Sequence, residues 1–240
     1  VKNVQKLTKQ DMQKNAVNQI KQHILDMKMK SGDVIPSEVA LSKILGISRP
    51  VVREALKSME YLGMLDAQQG KGRFVREFNC DALVDSLSYT AQSDLKRFSD
   101  ILDVRICLEV SFLLKDVDKF TDKDFRDLDN LLDEFQTLAA KNVPESELIT
   151  INARFHAILQ QYSENEFLLE LIRAFAAIQR RVTASEGFIT DKENFISCHR
   201  AIVEALKKKD SQLLGDAMTD PFSEPIEWVQ RKLKNTTTEV

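Results

Sequence analysis

Glycine and proline are scarce in these 240 residues, at 7 and 5. A chain so poor in turn-formers is not a many-turned β-sandwich or barrel, and it favours long helices. Only three cysteines occur, Cys80, Cys107 and Cys198, far apart and with no CxxC or CxxH step. That excludes a disulfide scaffold and a thiolate metal ribbon, and it reads as reduced thiols in a cytoplasmic protein. No apolar run approaches the roughly 18 residues needed to cross a bilayer. The opening VKNVQKLTKQ also lacks the apolar stretch of a secretory signal, so no membrane partner is expected. HExxH, a glycine-rich phosphate loop and a nucleophile elbow are missing too, which leaves an enzyme without a motif to stand on.

What is present is unevenly distributed. Hydrophobic residues make up 43% and charged residues 30%, ordinary values for a globular chain with a sizeable core. The net charge of −3 conceals a split: residues 1–80 carry 14 Lys and Arg against 8 Asp and Glu, and the remainder 20 against 29. A basic head on an acidic body suits a DNA-binding unit joined to one that does not bind DNA, although a solvated basic face gives the same count.

Residues 1–11 are polar and are expected to be loosely ordered. Over residues 14–29, Val17, Ile20, Ile24 and Met27 recur at three- and four-residue steps, which predicts an amphipathic helix. Gly32 and Pro36 interrupt it. Ser37 is placed to cap a second helix reaching Leu45, which Gly46 ends. Ser48 caps a third, from about Arg49 to Tyr61, ended by Gly63. Residues 64–67 and 73–75 flank QQGKG and predict a β-hairpin. Helix, glycine turn, helix and hairpin form the skeleton of a winged helix-turn-helix, whose second paired helix enters the major groove.

Arg49 and Arg53 are four residues apart and share a face of that helix. Their planar forks suit guanine edges or phosphates. Val52, Leu56 and Met59 mark the opposite side as core. Ser48 has a hydroxyl and an amide to offer a phosphate. Gln69-Gly70-Lys71-Gly72 places bare backbone beside a lysine at the hairpin tip. By itself an arginine pair is an ordinary solvated helix face; the surrounding residues decide the matter. Gly32, Pro36-Ser37-Glu38, Leu41, Leu45-Gly46-Ile47-Ser48-Arg49, Val52-Arg53-Glu54-Ala55-Leu56, Gly63 and Gly70-Lys71-Gly72-Arg73-Phe74-Val75 together resemble the signature of the GntR family of bacterial regulators at its native spacing. The resemblance implies that Arg49 and Arg53 contact operator DNA, with Ser48, Pro50 and Val51 at the start of the recognition helix and Gln69 and Gly70 at the wing tip. Some members carry a DNA-contacting arginine immediately after the position of Glu38. This chain has Val39 there, so its operator or its phosphate contacts differ from theirs.

Past about Glu77 the composition changes. Helical patterns at 82–92, 95–115, 121–141, 145–162, 164–184, 190–208, 210–217 and 222–234 alternate with short polar breaks, and no strand is evident. The expected fold is mostly α: a winged helix-turn-helix over residues 1–77 and an all-helical antiparallel bundle over residues 78–240. His23 lies in the head and is assigned no role. In the bundle, Asn152 and His156 are one helical turn apart, and His199 lies in the amphipathic segment CHRAIVEAL. Two neutral imidazoles and an oxygen donor would suit Zn, Ni or Mn, yet two histidines 43 positions apart are explained as well by a core.

An all-helical domain behind such a head resembles the FCD ligand domain of the FadR-type subfamily. The resemblance implies a homodimeric repressor whose affinity for double-stranded operator DNA is controlled by a small organic-acid effector, held through a divalent metal on an Asp and three His. His156 and His199 match two of those positions and Asn152 replaces the Asp. The last position falls at Pro221, with Asp220 beside it. Two arrangements stay open: a weakened metal site, or a metal-free cavity in which the same residues hydrogen-bond the effector. Arg105 resembles an arginine that meets the effector carboxylate in such domains; its alternative is a salt bridge to Glu109 at i+4. Arg180 or Arg181 could serve similarly. An acyl-CoA effector would instead need a long apolar channel, and the histidine pattern favours the small acid.

Overall fold

Thr8 and Asp11 start the first helix. The Thr8 hydroxyl accepts from the Asp11 amide and the Asp11 carboxylate accepts from the Thr8 amide, closing a capping box ahead of α1 (Lys9–Asp26). Residues 8–11, expected to be loosely ordered, instead form the cap and first turn of α1, while residues 1–7 of that stretch lie outside the described residues. The computed structural model describes residues 8–77, 79–141, 143–188 and 191–238. The chain divides into two compact units, Val1–Leu83 and Val84–Val240.

In the first unit, α2 (Glu38–Leu45) is capped by Ser37 and ends at Gly46, whose φ of 66° is the left-handed value that glycine adopts without strain. The Ser42 hydroxyl donates to the Ile47 carbonyl at 2.5 Å and locks the turn into α3 (Arg49–Tyr61). The hairpin is β1 (Leu65–Gln68) against β2 (Gly72–Val75), antiparallel, with Leu65 opposite Val75 and Gln68 opposite Gly72. A third segment, not visible in the hydrophobic pattern, lies against β2. Val34 bridges Phe74, Gly32 N donates to Val75 O, and Ile35 N donates to Arg73 O, both at 2.9 Å. The wing is thus tied to the stretch between α1 and α2. Ala16 and Ile20 of α1, Leu41 of α2, Val52, Leu56 and Met59 of α3, and Leu65 of β1 form one buried core. That core turns the opposite side of α3 outward.

Beyond the first unit the described residues form helices and no strand: α4 (Asp81–Ser93), which spans the unit boundary, α5 (Leu95–Asp116), α6 (Asp122–Ala140), α7 (Glu145–Gln160), α8 (Glu166–Ser185), α9 (Lys192–Lys208), α10 (Ser211–Thr219) and α11 (Ser223–Thr238). Single 3-10 turns, Val117–Lys119 and Asp220–Phe222, follow α5 and α10. Thr121, Asn165, Asp191 and Asp210 cap α6, α8, α9 and α10 through side-chain oxygens. Leu128, Leu132 and Phe135 of α6, Phe155 of α7, Ile202 and Leu206 of α9, and Leu214 of α10 fill the main core. Helix α5 packs on α8, α10 and α11, and α6 packs on α7 and α9. Arg105, Asn152, His156 and His199 stand on the inner faces of α5, α7 and α9, whereas Arg180 and Arg181 of α8 are exposed.

Candidate functional site

The α3 surface away from the core carries the DNA-reading candidates. Ser48, Arg49, Pro50 and Arg53 are exposed and Val51 is half-buried. Ser48 caps α3 by backbone conformation alone, and its hydroxyl makes no cap hydrogen bond. It stays available beside the unpaired amides of the helix start, where the dipole favours a phosphate. Pro50, in the first turn, has no amide to waste there. Arg49 makes no ion pair among the described residues. Arg53 is engaged: its Nε and Nη2 both lie 3.0 Å from Glu38 Oε2. The hydrogen bond from Arg53 is the main influence holding the Glu38 carboxyl below its ordinary range, with burial opposing it. The hairpin tip is Gln69, Gly70 and Lys71, all exposed. Gly70 and Gly72 have φ of 75° and 110°, conformations that keep side chains off the tip.

The second cluster is buried. Arg105 and Glu109 on α5 are 7% and 4% exposed. Arg105 Nε donates to Glu109 Oε1 and its Nη1 to Gln179 Oε1 on α8, each at 2.6 Å, while the guanidinium lies 5.0 Å from the centre of the Phe222 ring. Of the two readings of Arg105, the salt bridge to Glu109 is the one this geometry forms. Burial would raise the Glu109 carboxyl, but the charge of Arg105 and the neighbouring His156 outweigh it and hold it at about 2. His156 Nδ1 stands 3.5 Å from Glu109 Oε2 and closes no hydrogen bond.

His199 is 1% exposed, stacked on Phe195 with ring centres 3.8 Å apart and edged by Phe155. Its Nδ1 lies 2.7 Å from the Phe195 carbonyl. A carbonyl only accepts, so Nδ1 carries the hydrogen and Nε2 is a bare acceptor. Burial, then the nearby His156, push this imidazole down to about 3, so it is neutral at physiological pH. The His156 and His199 rings are 5.8 Å apart and nearly perpendicular. Among the described residues, three of the four buried side-chain polar atoms with no hydrogen-bond partner fall on residues the sequence had singled out: Asn152 Oδ1, His156 Nδ1 and His199 Nε2. Each such atom costs about 1–3 kcal/mol unless something fills its valence.

Arg180, on α8, makes no side-chain ion pair among the described residues. Its side chain reaches the surface, and the partial burial of its stem and then the charge of Arg105 lower its pKa. Arg181 points elsewhere and pairs with Asp85 of α4 at 2.5 Å. Beside Glu109, a cleft edged by Leu113, Leu159, Ile172 and Met218 measures about 20 Å³, room for roughly one water.

The donors do not fit a divalent metal well. Two neutral imidazoles and an amide oxygen supply no anionic ligand, and the nearest carboxylate, Glu109, is already spoken for by Arg105. Pro221 offers no side-chain donor, and Asp220 is exposed on its 3-10 turn. Among the described residues no group of three or more His, Cys, Asp or Glu is arranged around a common ion position.

Comparison with known proteins settles the family. The profile described as "Bacterial regulatory proteins, gntR family" matches residues 12–75, and that described as "FCD domain" matches residues 100–223. The chain belongs to the GntR family, in its FCD-domain branch. The HTH-type transcriptional regulator LutR of Bacillus subtilis is 28% identical over 151 residues, 62% of this chain and 67% of LutR. The HTH-type transcriptional repressor NanR of Cronobacter sakazakii is 25% identical over 213 residues, 85% of this chain and 80% of NanR. The solved structure of Streptococcus agalactiae GntR shares the fold at a TM-score of 0.57 and 23% identity, covering 86% of this chain and 94% of that one. This GntR-family chain is a DNA-binding regulator of transcription and not an enzyme. Glu38, Gln179, Phe195 and Phe222 were not among the residues singled out as functional. Glu38 sat inside the quoted signature, but the others carried no sequence signal, because their partners lie on other helices or on a backbone atom.

Proposed function

We propose that this regulator binds its operator as a two-fold dimer and represses. A small hydroxylated carboxylate, bound directly in the cluster of α5, α7, α8 and α9, then weakens its hold on DNA. The supporting observation is the set of buried acceptors without donors. His199 Nε2 and Asn152 Oδ1 each require a hydrogen to accept, which a ligand hydroxyl supplies and an unsubstituted acid does not. Arg180 takes the carboxylate, since Arg105 is committed to Glu109 and Gln179. No metal takes part in this reading. The cleft of about 20 Å³ beside Glu109 is lined by none of Asn152, His199 and Arg180, so binding an acid of several heavy atoms at these residues entails movement of the helices. Such movement gives the differential affinity between two states that any switch requires. Two reading helices about one DNA turn apart convert it into a change of grip. The printed name of NanR, a transcriptional repressor, agrees with the direction of regulation.

The test is a thermal-shift panel on the full chain with an aldonic acid, a short 2-hydroxy acid, an unsubstituted dicarboxylate and an acyl-CoA, each with EDTA and with added zinc. Fluorescence anisotropy on DNA selected by the protein follows each hit. A hydroxylated acid at about a hundred times its Kd is expected to stabilise by about 2.7 kcal/mol, roughly 5–11 °C for a unit of this size, with EDTA present, and to lower DNA affinity. A shift seen only with zinc, or with acyl-CoA alone, would overturn the direct hydroxy-acid reading.

A further inference from the structure

Four charged side chains from three elements run in one line across the first unit. Arg53, in the second turn of α3, donates its Nε–H to one oxygen of Glu38, the first residue of α2, and its Nη2 lies 3.0 Å from the same oxygen. The other Glu38 oxygen accepts from Arg73 Nη1 of β2 at 3.3 Å. Arg73 Nε in turn donates to Glu60, near the end of α3. The wing strand is thereby fastened near both ends of the reading helix. Arg53 presents to solvent a fork with one of its five N–H groups committed to a hydrogen bond. Arg49, one turn earlier, has no such anchor, so the two arginines are not equivalent.

A carboxylate beside the DNA-facing surface repels phosphates, and on grounds of affinity alone it is a disadvantage. Its position is explained by geometry: it fixes one fork and ties that fork to the wing, and a side chain already held in place loses less freedom on binding. We infer that Glu38 is a positioning residue for DNA reading, setting the orientation of Arg53 directly and of the wing through Arg73. Sequence discrimination by this head therefore depends on an acidic side chain whose charge opposes DNA binding.

The experiment uses the full chain and two duplexes, one selected by the wild-type protein from a randomised library and one scrambled at the same composition. Affinities are read by anisotropy over a salt series. E38Q keeps the size of the side chain but loses the charge that holds both arginines. It is expected to lower the selected-to-scrambled affinity ratio about tenfold, within the worth of one well-set base contact, through weaker binding to the selected duplex. The slope of affinity against salt is expected to stay unchanged, since no phosphate-binding cation is removed. In an R53A background E38Q should lower the ratio by much less, since only the part carried through Arg73 and the wing remains. A purely structural role would weaken both duplexes in parallel and leave the ratio intact, and that result overturns the inference. So does a ratio that falls equally in the R53A background, or a wild-type chain that selects no sequence. If E38Q does not fold, E38D is measured in its place. It keeps the charge on an arm too short to reach both arginines, and the same fall in ratio is expected.

Discussion

Replacing His199 with leucine should leave the protein at least as stable near neutral pH, while abolishing its response to effector. The imidazole is 1% exposed and wedged between Phe155 and Phe195, and leucine fills much of the same apolar slot. The substitution loses the Nδ1 hydrogen bond to the Phe195 carbonyl, a cost of about 0.5–1.5 kcal/mol. It also removes the partnerless Nε2, whose burial costs about 1–3 kcal/mol. The balance is a gain of about 1 kcal/mol, or a rise in Tm of roughly 2–4 °C for a unit the size of Val84–Val240. The pH dependence carries a second, independent mark. The folded imidazole sits at about 3 against roughly 6.5 in the unfolded chain, so between those values the unfolded state binds a proton that the native state refuses. Stability therefore falls on acidification through that window, by about 2 kcal/mol between pH 7 and pH 5. Glu109, held at about 2 from an ordinary 4.5, contributes below that range and does not confuse the reading. Calorimetry of wild type and H199L across these pH values checks both. A drop in Tm of more than about 4 °C for H199L at neutral pH, or an undiminished acid slope, would mean that Nε2 has a partner in the folded protein, and the effector argument would lose its footing.

Arg49→Ala should weaken binding to selected DNA by about 1–3 kcal/mol and relax preference at the contacted base pair, whereas Lys71→Ala should weaken all sequences alike and reduce the salt slope by about one; anisotropy over a salt series separates the two. Gly63→Ala should destabilise the protein by about 1–2 kcal/mol in chemical denaturation, since its φ is 70° and an added Cβ would lie 2.8 Å from Asn79 Oδ1. Shortening Asn79 should recover the steric part and not the backbone part. Arg105→Ala strips the buried Glu109 of its main partner and should cost about 3–5 kcal/mol. The stabilisation that pair provides is present above about pH 4.5 and lost as pH falls toward 2, so the variant's deficit should shrink on the acid limb of a pH–stability curve.

What the sequence made legible divides along the range of the interactions. Local periodicity showed where α2 and α3 lie, which face of α3 is core, and that Gly46 and Gly63 end those helices, because each feature is set by residues within one or two turns. The capping box at Thr8 was also local, a T-x-x-D step, but the polar composition around it pointed toward disorder. Interactions bridging distant positions left no trace: Glu38 meets Arg53 and Arg73 15 and 35 residues away, and Arg105 meets Gln179 74 residues away. The family pattern located Asn152, His156, His199 and Pro221 but could not choose between metal and direct hydrogen bonding, since that choice rests on protonation. Phe195 sets the tautomer by accepting from His199 Nδ1, which leaves Nε2 as a lone pair open to either a cation or a hydrogen. With Asn152 in place of an acid, Glu109 neutralised by Arg105 and Pro221 silent, the charge that would draw a cation is gone, while the need for a hydrogen remains. On the proposed reading, the residues that weaken a metal site are the same ones that make a hydroxyl-binding site coherent. Restoring N152D should therefore recruit zinc only at the expense of the hydroxy acid, so a variant that binds both equally well would refute this link.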